Sequence, residues 1–234
     1  MDLDAGIGEV LDRLKELGLD EKTCVIFTSD NGPWFGGSTG GLRGMKASTY
    51  EAGYRVPCIA RWPGHIPPGH TNDSPAMMMD LFTTVLNIAD VPPPDDRVID
   101  GQDIMSLLTS DADSPHEVTF GQAGPRLAHV RDARWKLHVL PPSDRHAEKT
   151  AESETWVDWR APDGVTLLAP FEQARPSEHP GLLSGDQPAP MQLFDLKNDL
   201  GEQKDVSAKH PEVVQRLKTK YDTMQRVLAE TTTK

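Results

Sequence analysis

Between Ala5 and Leu17 the apolar positions Ile7, Val10, Leu11, Leu14 and Leu17 recur every three to four residues, the step of one helix face, and Gly18 supplies a natural stop. Cys24-Val25-Ile26-Phe27 changes the pattern to an unbroken apolar run. Such a run predicts a strand covered on both faces, as in a parallel sheet. Helix, short turn and buried strand make an αβ unit of a doubly wound sheet, in which ligands sit beyond the carboxyl ends of strands. The residues at that end are Thr28-Ser29-Asp30-Asn31-Gly32.

From Pro33 to Lys46 the chain is too rich in glycine for a regular element and long enough to be a functional loop. Arg55 to Trp62 is a second strand candidate, closed by Pro63-Gly64. Met77 to Ala89 has helical spacing with Met78, Leu81, Phe82, Val85, Leu86 and Ile88 on its apolar side, and Pro92-Pro93-Pro94 ends it. A shorter helix covers Asp103 to Leu108. The Met77-Met78-Met79 cluster reads as core, because thioethers fill irregular gaps. Cys24 and Cys58 both fall in apolar runs, the usual place of a buried, inert thiol.

Near residue 115 the pattern changes to short strands at Val118–Phe120, Ala128–Arg131, Trp135–Leu140 and Gln192–Leu196, followed by a helix from Pro211 to Leu228. Strands after αβ alternation predict a small antiparallel sheet in its own subdomain. The expected organisation is therefore 1–115 as an α/β domain and 116–234 as an α+β subdomain. A long surface insertion is expected at about 141–190, where Pro, Glu, Ser and Asp dominate around Trp156, Trp159 and the island Val165–Leu168. Packing of the insertion is the simplest role for the two tryptophans, and His129, His138 and His146 receive no role, since histidines on a small sheet are mostly surface or satisfied core groups.

Composition narrows the function classes. The 234 residues suffice for a real core, but 20 prolines and an apolar share of 37% describe a loop-rich chain. A net charge of −12 repels phosphate backbones and anionic lipid, so no nucleic acid and no membrane is expected as partner. No run reaches the roughly 20 apolar residues of a membrane span, and the acidic start Met1-Asp2-Leu3-Asp4 has no export-signal pattern. Two cysteines are too few for a disulfide framework or a zinc site. The compartment is not readable from these features.

Asp30-Asn31-Gly32 invites a hairpin reading, but a long loop rather than a second strand follows it. A carboxylate and a side-chain carbonyl at a strand end offer two hard oxygen donors suited to Ca²⁺ or Mg²⁺, and the rest of the about 6–8 must come from elsewhere. A P-loop is excluded because Lys46 lies between Met45 and Ala47. Gly41-Leu42-Arg43-Gly44 matches the KH-domain GxxG only loosely, and the acidic charge opposes it. Lys46, fifteen positions after Asn31, is either a solvated lysine or a fixed cation facing an anion held by the metal.

The segments Phe27–Gly32, Gly41-Leu42-Arg43-Gly44-Met45-Lys46, Thr49-Tyr50-Glu51-Ala52-Gly53-Tyr54-Arg55-Val56-Pro57 and Arg61-Trp62-Pro63-Gly64 closely resemble the type I sulfatases. Met79-Asp80-Leu81-Phe82, Ile99-Asp100-Gly101, Arg134-Trp135-Lys136-Leu137 and Leu193-Phe194-Asp195-Leu196…Asp199…Glu202 look like later landmarks of that family in the same order. The resemblance implies a partial alkaline-phosphatase-like parallel sheet with helices, and hydrolysis of sulfate esters. It further implies that Asp30 and Asn31 belong to a calcium site and that Lys46 contacts the substrate sulfate.

The family's formylglycine nucleophile, made from Cys or Ser in a Cys/Ser-x-Pro-x-Arg motif, has no counterpart here. Cys58-Ile59-Ala60-Arg61 lacks the proline. The first pair of metal aspartates, the second active-site lysine and the histidines are missing as well, and Met45 replaces a usual glycine. The sequence thus resembles the C-terminal half of a sulfatase with an incomplete Ca²⁺ ligand set, and the chain alone is expected not to turn over. Phosphodiesterase or phosphonate-hydrolase relatives are the alternative within the superfamily. Outside it stand a non-catalytic binding protein and a decayed fragment, with self-association through an exposed sheet edge.

Overall fold

The apolar stripe at the start of the chain forms α1 (Asp2–Glu16), and Gly18 leaves it at φ 65. A single turn of 3₁₀ helix leads to β1 (Val25–Thr28), which pairs with β2 (Cys58–Arg61). The computed structural model describes residues 2–33, 39–142 and 185–232. Most of the expected insertion, with His146, Trp156, Trp159 and Val165–Leu168, lies outside the described residues. Residues further along form α2 (Glu51–Tyr54), α3 (Asp80–Ile88), α4 (Met105–Thr109), β3 (Thr119–Ala123), β4 (Arg126–Arg131), β5 (Trp135–His138), β6 (Gln192–Asp195) and α5 (Pro211–Thr232). Among the described residues no helix is long and apolar enough to cross a membrane.

The chain divides into two units, Met1–Ser29 with Pro57–His116, and Asp30–Val56 with Glu117–Lys234. In the first, β1 was expected to run parallel to its neighbour, yet it pairs antiparallel with β2, Thr28 opposite Cys58 and Val25 opposite Arg61. The reason is where the connection returns. Residues 29–57 bring the chain back beside the end at which β1 stopped, so β2 can only run the other way, whereas a parallel neighbour needs a crossover to the opposite end.

Burial in this unit also departs from expectation. Cys58 is exposed and Cys24 half-buried, and α1 buries none of its residues. On α3 the apolar residues Phe82 and Val85 are exposed, as are Met78 and Met79 just before it, so the methionine cluster is not core. Polar groups fix α3 instead. The Asp80 carboxylate accepts from the Met77 and Gln102 backbone N–H groups at 2.6 and 2.9 Å and contacts His116 Nε2 at 2.8 Å. The Thr84 hydroxyl accepts the Ile104 N–H at 3.0 Å and donates to the Asp80 carbonyl at 2.8 Å.

The second unit holds the antiparallel sheet β3-β4-β5-β6 expected from the sequence. Alternation along the strands gives it two different faces. Val130, Leu137 and Leu193 stand side by side on one face and, with Leu127 and Trp135, pack against Leu217 and Tyr221 of α5. The Tyr221 hydroxyl donates to the Leu127 carbonyl at 2.6 Å. The cross-strand pairs His129–His138 and Arg131–Lys136, with Phe194 beside Lys136, occupy the other. That second face carries charged groups that pair with Glu51 and Glu202.

Candidate functional site

Asp30 and Asn31 follow β1 directly in the chain, Asp30 exposed and Asn31 half-buried. Gly32 is buried against α2. Its N–H donates to the Gly53 carbonyl at 3.2 Å, and a Cβ at this position would stand 1.6 Å from the Ala52 carbonyl oxygen. The glycine after Asp-Asn is thus required by close backbone approach, not by a hairpin turn. One residue on, the Pro33 carbonyl accepts the Lys46 N–H at 2.9 Å. These two bonds hold the Asp30-Asn31 segment and the Lys46 segment together, with the Lys46 side chain exposed.

The loop is shaped around Lys46 by tight turns. Gly44 takes φ 81 and faces Ser48 so closely that a Cβ would lie 2.3 Å from its Oγ, while Ala47 is held at φ 70. The Ser48 hydroxyl accepts the Tyr50 N–H at 3.1 Å, and Ser48 N–H donates to the Met45 carbonyl at 2.9 Å. Met45, where the family usually has glycine, turns inward and is 2% exposed, so it adds to the core rather than crowding the loop. α2 then begins at Glu51 and ends within one turn, because Pro57 bars further helix.

Behind the loop lies a buried ionic cluster that the sequence did not reveal as such. The Glu51 carboxylate receives Arg131 at 2.7 Å and Lys136 Nζ at 3.1 Å. Lys136, 0% exposed, also lies 3.1 Å from Glu202, and His138 Nε2 contacts the same Glu202 oxygen at 2.7 Å. The second Glu202 oxygen accepts the Glu51 backbone N–H. Burial would raise the Glu202 carboxyl, but the Lys136 charge and the His138 bond overcome it and bring the pKa down to about 2. His138 is pushed below the ordinary histidine range by burial, only partly offset by Glu202.

A neutral His138 facing a carboxylate must carry its proton on Nε2, leaving Nδ1 as an acceptor. Among the described residues neither His138 Nδ1 nor His129 Nδ1 has a hydrogen-bond partner. Both histidines, expected to be bland, are buried in an aromatic nest in which His129 lies edge-on to Tyr54 and His138 lies against Tyr50 and Phe194. The Tyr54 hydroxyl donates to the Gln122 carbonyl.

The sequence singled out Glu51, Lys136 and Glu202 only as parts of motifs. The signal that could have found them is the lysine in Trp135-Lys136-Leu137-His138. On a strand of an otherwise buried sheet, a lysine demands a carboxylate partner.

Among the described residues no group of three or more His, Cys, Asp or Glu side chains is placed to hold a metal ion. The donor chemistry of Asp30 and Asn31 fits calcium, but two residues supply only part of its about 6–8 oxygens. They would fit as a share of such a site, with the remainder to come from other residues.

Residues 1–91 match the sulfatase family model. Over that stretch the chain is similar to the sulfatases. It is 42% identical over 157 residues to mouse steryl-sulfatase, matching 61% of this chain and 25% of the relative. Human arylsulfatase A is 38% identical over 162 residues, 65% of this chain and 32% of the relative. The crystal structure of the PsFucS1 sulfatase from Pseudoalteromonas sp. superposes with a TM-score of 0.68 at 26% identity, covering 97% of this chain and 41% of that one. The solved neighbours have the alkaline-phosphatase-like fold, so the expected fold class stands. The chain spans about a quarter to a third of the length of these two curated relatives.

Proposed function

We propose that this chain contributes one half of a sulfuric ester hydrolase site, with Asp30 and Asn31 as two oxygen donors to a calcium ion and Lys46 as the cation facing the substrate sulfate. The observation that carries the reading is the double backbone tie, Lys46 N–H to Pro33 and Gly32 N–H to Gly53, which brings the oxygen-donor pair and the lysine into one loop cluster. A calcium ion at such a site supplies Lewis-acid stabilisation of negative charge on the sulfate oxygens. Lys46 adds a fixed positive charge that gains strength as water is excluded and charge builds on the leaving oxygen. A sulfate monoester carries a single negative charge, which one lysine and one partly neutralised metal match. The sulfatase names of the curated relatives support sulfate over phosphate esters.

No nucleophile motif accompanies these residues, and exposed Cys58, on β2 without the proline of the motif, does not replace it. The chain alone is therefore expected to show no turnover of a chromogenic aryl sulfate. Co-expression with a sulfatase N-terminal half carrying the Cys-x-Pro-x-Arg motif and the Asp-Asp pair is expected to restore hydrolysis that disappears with Lys46→Ala. Hydrolysis that persists in Lys46→Ala would overturn the assignment.

A second reading, non-catalytic interaction, rests on the first unit. Its two-stranded sheet, together with exposed Val10, Leu17, Ile59, Phe82 and Val85, offers apolar surface and strand edges for self-association. Sedimentation velocity over a dilution series tests it. A concentration-dependent dimer favours this reading, and a monomer throughout removes it.

A further inference from the structure

The Glu51–Lys136–Glu202–His138 cluster is more than a means of balancing charge. Glu202 sits at φ 50, a left-handed backbone that a non-glycine residue adopts only when its surroundings over-determine it. Those surroundings are dense. The Glu202 N–H donates to the Asp199 carbonyl at 3.1 Å, and the Asp199 carboxylate accepts the N–H groups of Gln203 and Lys204 at 2.9 and 2.8 Å. So fixed, Glu202 reaches the loop by three routes, two ending on Glu51 and one on Arg43.

Its carboxylate accepts the Glu51 backbone N–H, one of the orphan donors at the start of α2. The same carboxylate shares Lys136 with the Glu51 side chain. Its backbone carbonyl accepts from Arg43 at 2.9 Å, while the other arm of that guanidinium donates to the Asp186 carbonyl at 2.9 Å and the group lies 4.2 Å from the centre of the Tyr50 ring. Arg43 in turn accepts the Ala52 N–H on its own carbonyl at 3.0 Å. Arg43 and Glu51 thus bracket Lys46 in sequence, and both ends of the bracket are held by one residue far along the chain.

We propose that Glu202 is a positioning residue for the sulfate-facing lysine: it clamps Arg43 and Glu51 so that the Lys46 loop is held in one conformation before any anion arrives. This rests on the reading of Lys46 as the sulfate-contacting cation. Preorganisation of this kind matters because a cation that must be ordered during binding loses part of its interaction to that ordering. A residue that merely stabilised the sheet would act on the whole unit, whereas a clamp acts on the loop it holds.

Hydrogen exchange read by mass spectrometry on the 234-residue chain separates the two. Amides that exchange by local opening respond to the local clamp and not to global stability. Glu202→Gln and, as an independent disturbance that keeps the charge, Arg43→Lys are each expected to speed exchange in peptides spanning 42–55 by about tenfold or more. The core variant Leu217→Ala is expected to speed the slowest sheet amides while leaving the loop within about twofold. Inorganic sulfate is the probe for the second arm. It is expected to slow exchange around Lys46 in the unaltered chain, with the midpoint raised about tenfold by Glu202→Gln and the effect lost in Lys46→Ala. Unchanged loop exchange in both clamp variants, or equal acceleration of loop and sheet, overturns the clamp. Sulfate protection that survives Lys46→Ala overturns the reading of Lys46 itself, and with it the purpose of the clamp.

Discussion

Gly32 lies against Ala52 with no room for a side chain: a methyl group on its Cα would stand 1.6 Å from the Ala52 carbonyl oxygen. The obstacle is backbone on both sides, so no rotamer change relieves it. Gly32→Ala is expected to separate the Asp30-Asn31 segment from α2 and to break the bond to the Gly53 carbonyl. The cost should reach at least the upper end of overpacking, about 3 kcal/mol, read as a lower urea midpoint and loss of exchange protection at Gly53. Wild-type stability in this variant would show that the segment is not packed as described.

Ala47 offers the opposite experiment. It is exposed, directly after Lys46, and held at φ 70, where a Cβ costs about 1–2 kcal/mol. Ala47→Gly removes that strain, and the looser unfolded chain offsets part of the gain. A net stabilisation of about 0.5–1 kcal/mol is expected in urea unfolding. Destabilisation would mean that Ala47 is not left-handed in solution.

Acid should weaken the second unit in two stages. Burial, and then the Lys136 charge, hold His129 well below its ordinary 6.5. As pH falls through 6.5, the unfolded chain takes up protons that folded His129 does not, so stability declines. The carboxyls come next. Glu202 stands at about 2 against an ordinary 4.5, and the Arg134 bond holds Asp195 at about 2 against 3.8. Their folded pKa values are depressed, so their contribution is whole above the ordinary carboxylate range and drains away between about 4.5 and 2. Melting temperature is expected to be level from pH 8 to 7, to fall below 6.5 and to fall more steeply below 4.5. A His129→Gln chain should lose much of the first decline. A melting temperature that rises between pH 6.5 and 5 would contradict a buried, neutral His129.

How much of this was legible before the structure differs from element to element. The stripe Ile7, Leu11, Leu14 and the spacing that puts Leu217 beside Tyr221 gave helices at the observed places, because helix period is a local property. β4, β5 and β6 were likewise visible as short runs. The direction of β1 was not, since its apolar run says that it pairs but not from which end its partner arrives. Nor was the exposure of Cys58, Met78 and Phe82, which depends on what covers them and not on their own polarity.

At the candidate site, Asp30, Asn31 and Lys46 were named from motif and resemblance, and backbone bonds at Gly32 and Pro33 tie the segments that carry them. The pairing within the clamp behind them was invisible for a different reason. Glu51, Lys136 and Glu202 meet across separations of 85 and 151 residues, and a single sequence holds no sign of which carboxylate finds which lysine.

The central claim is that Asp30 and Asn31 hold part of a calcium site beside Lys46. Calorimetric titration of the chain with calcium chloride tests it most directly, comparing the unaltered chain with Asp30→Ala, Asn31→Ala and the exposed control Asp96→Ala. With two of the about 6–8 oxygens present, binding in the millimolar range is expected. It should vanish in Asp30→Ala, weaken in Asn31→Ala and persist in the control. Heat signals that are identical in all four chains would contradict the account.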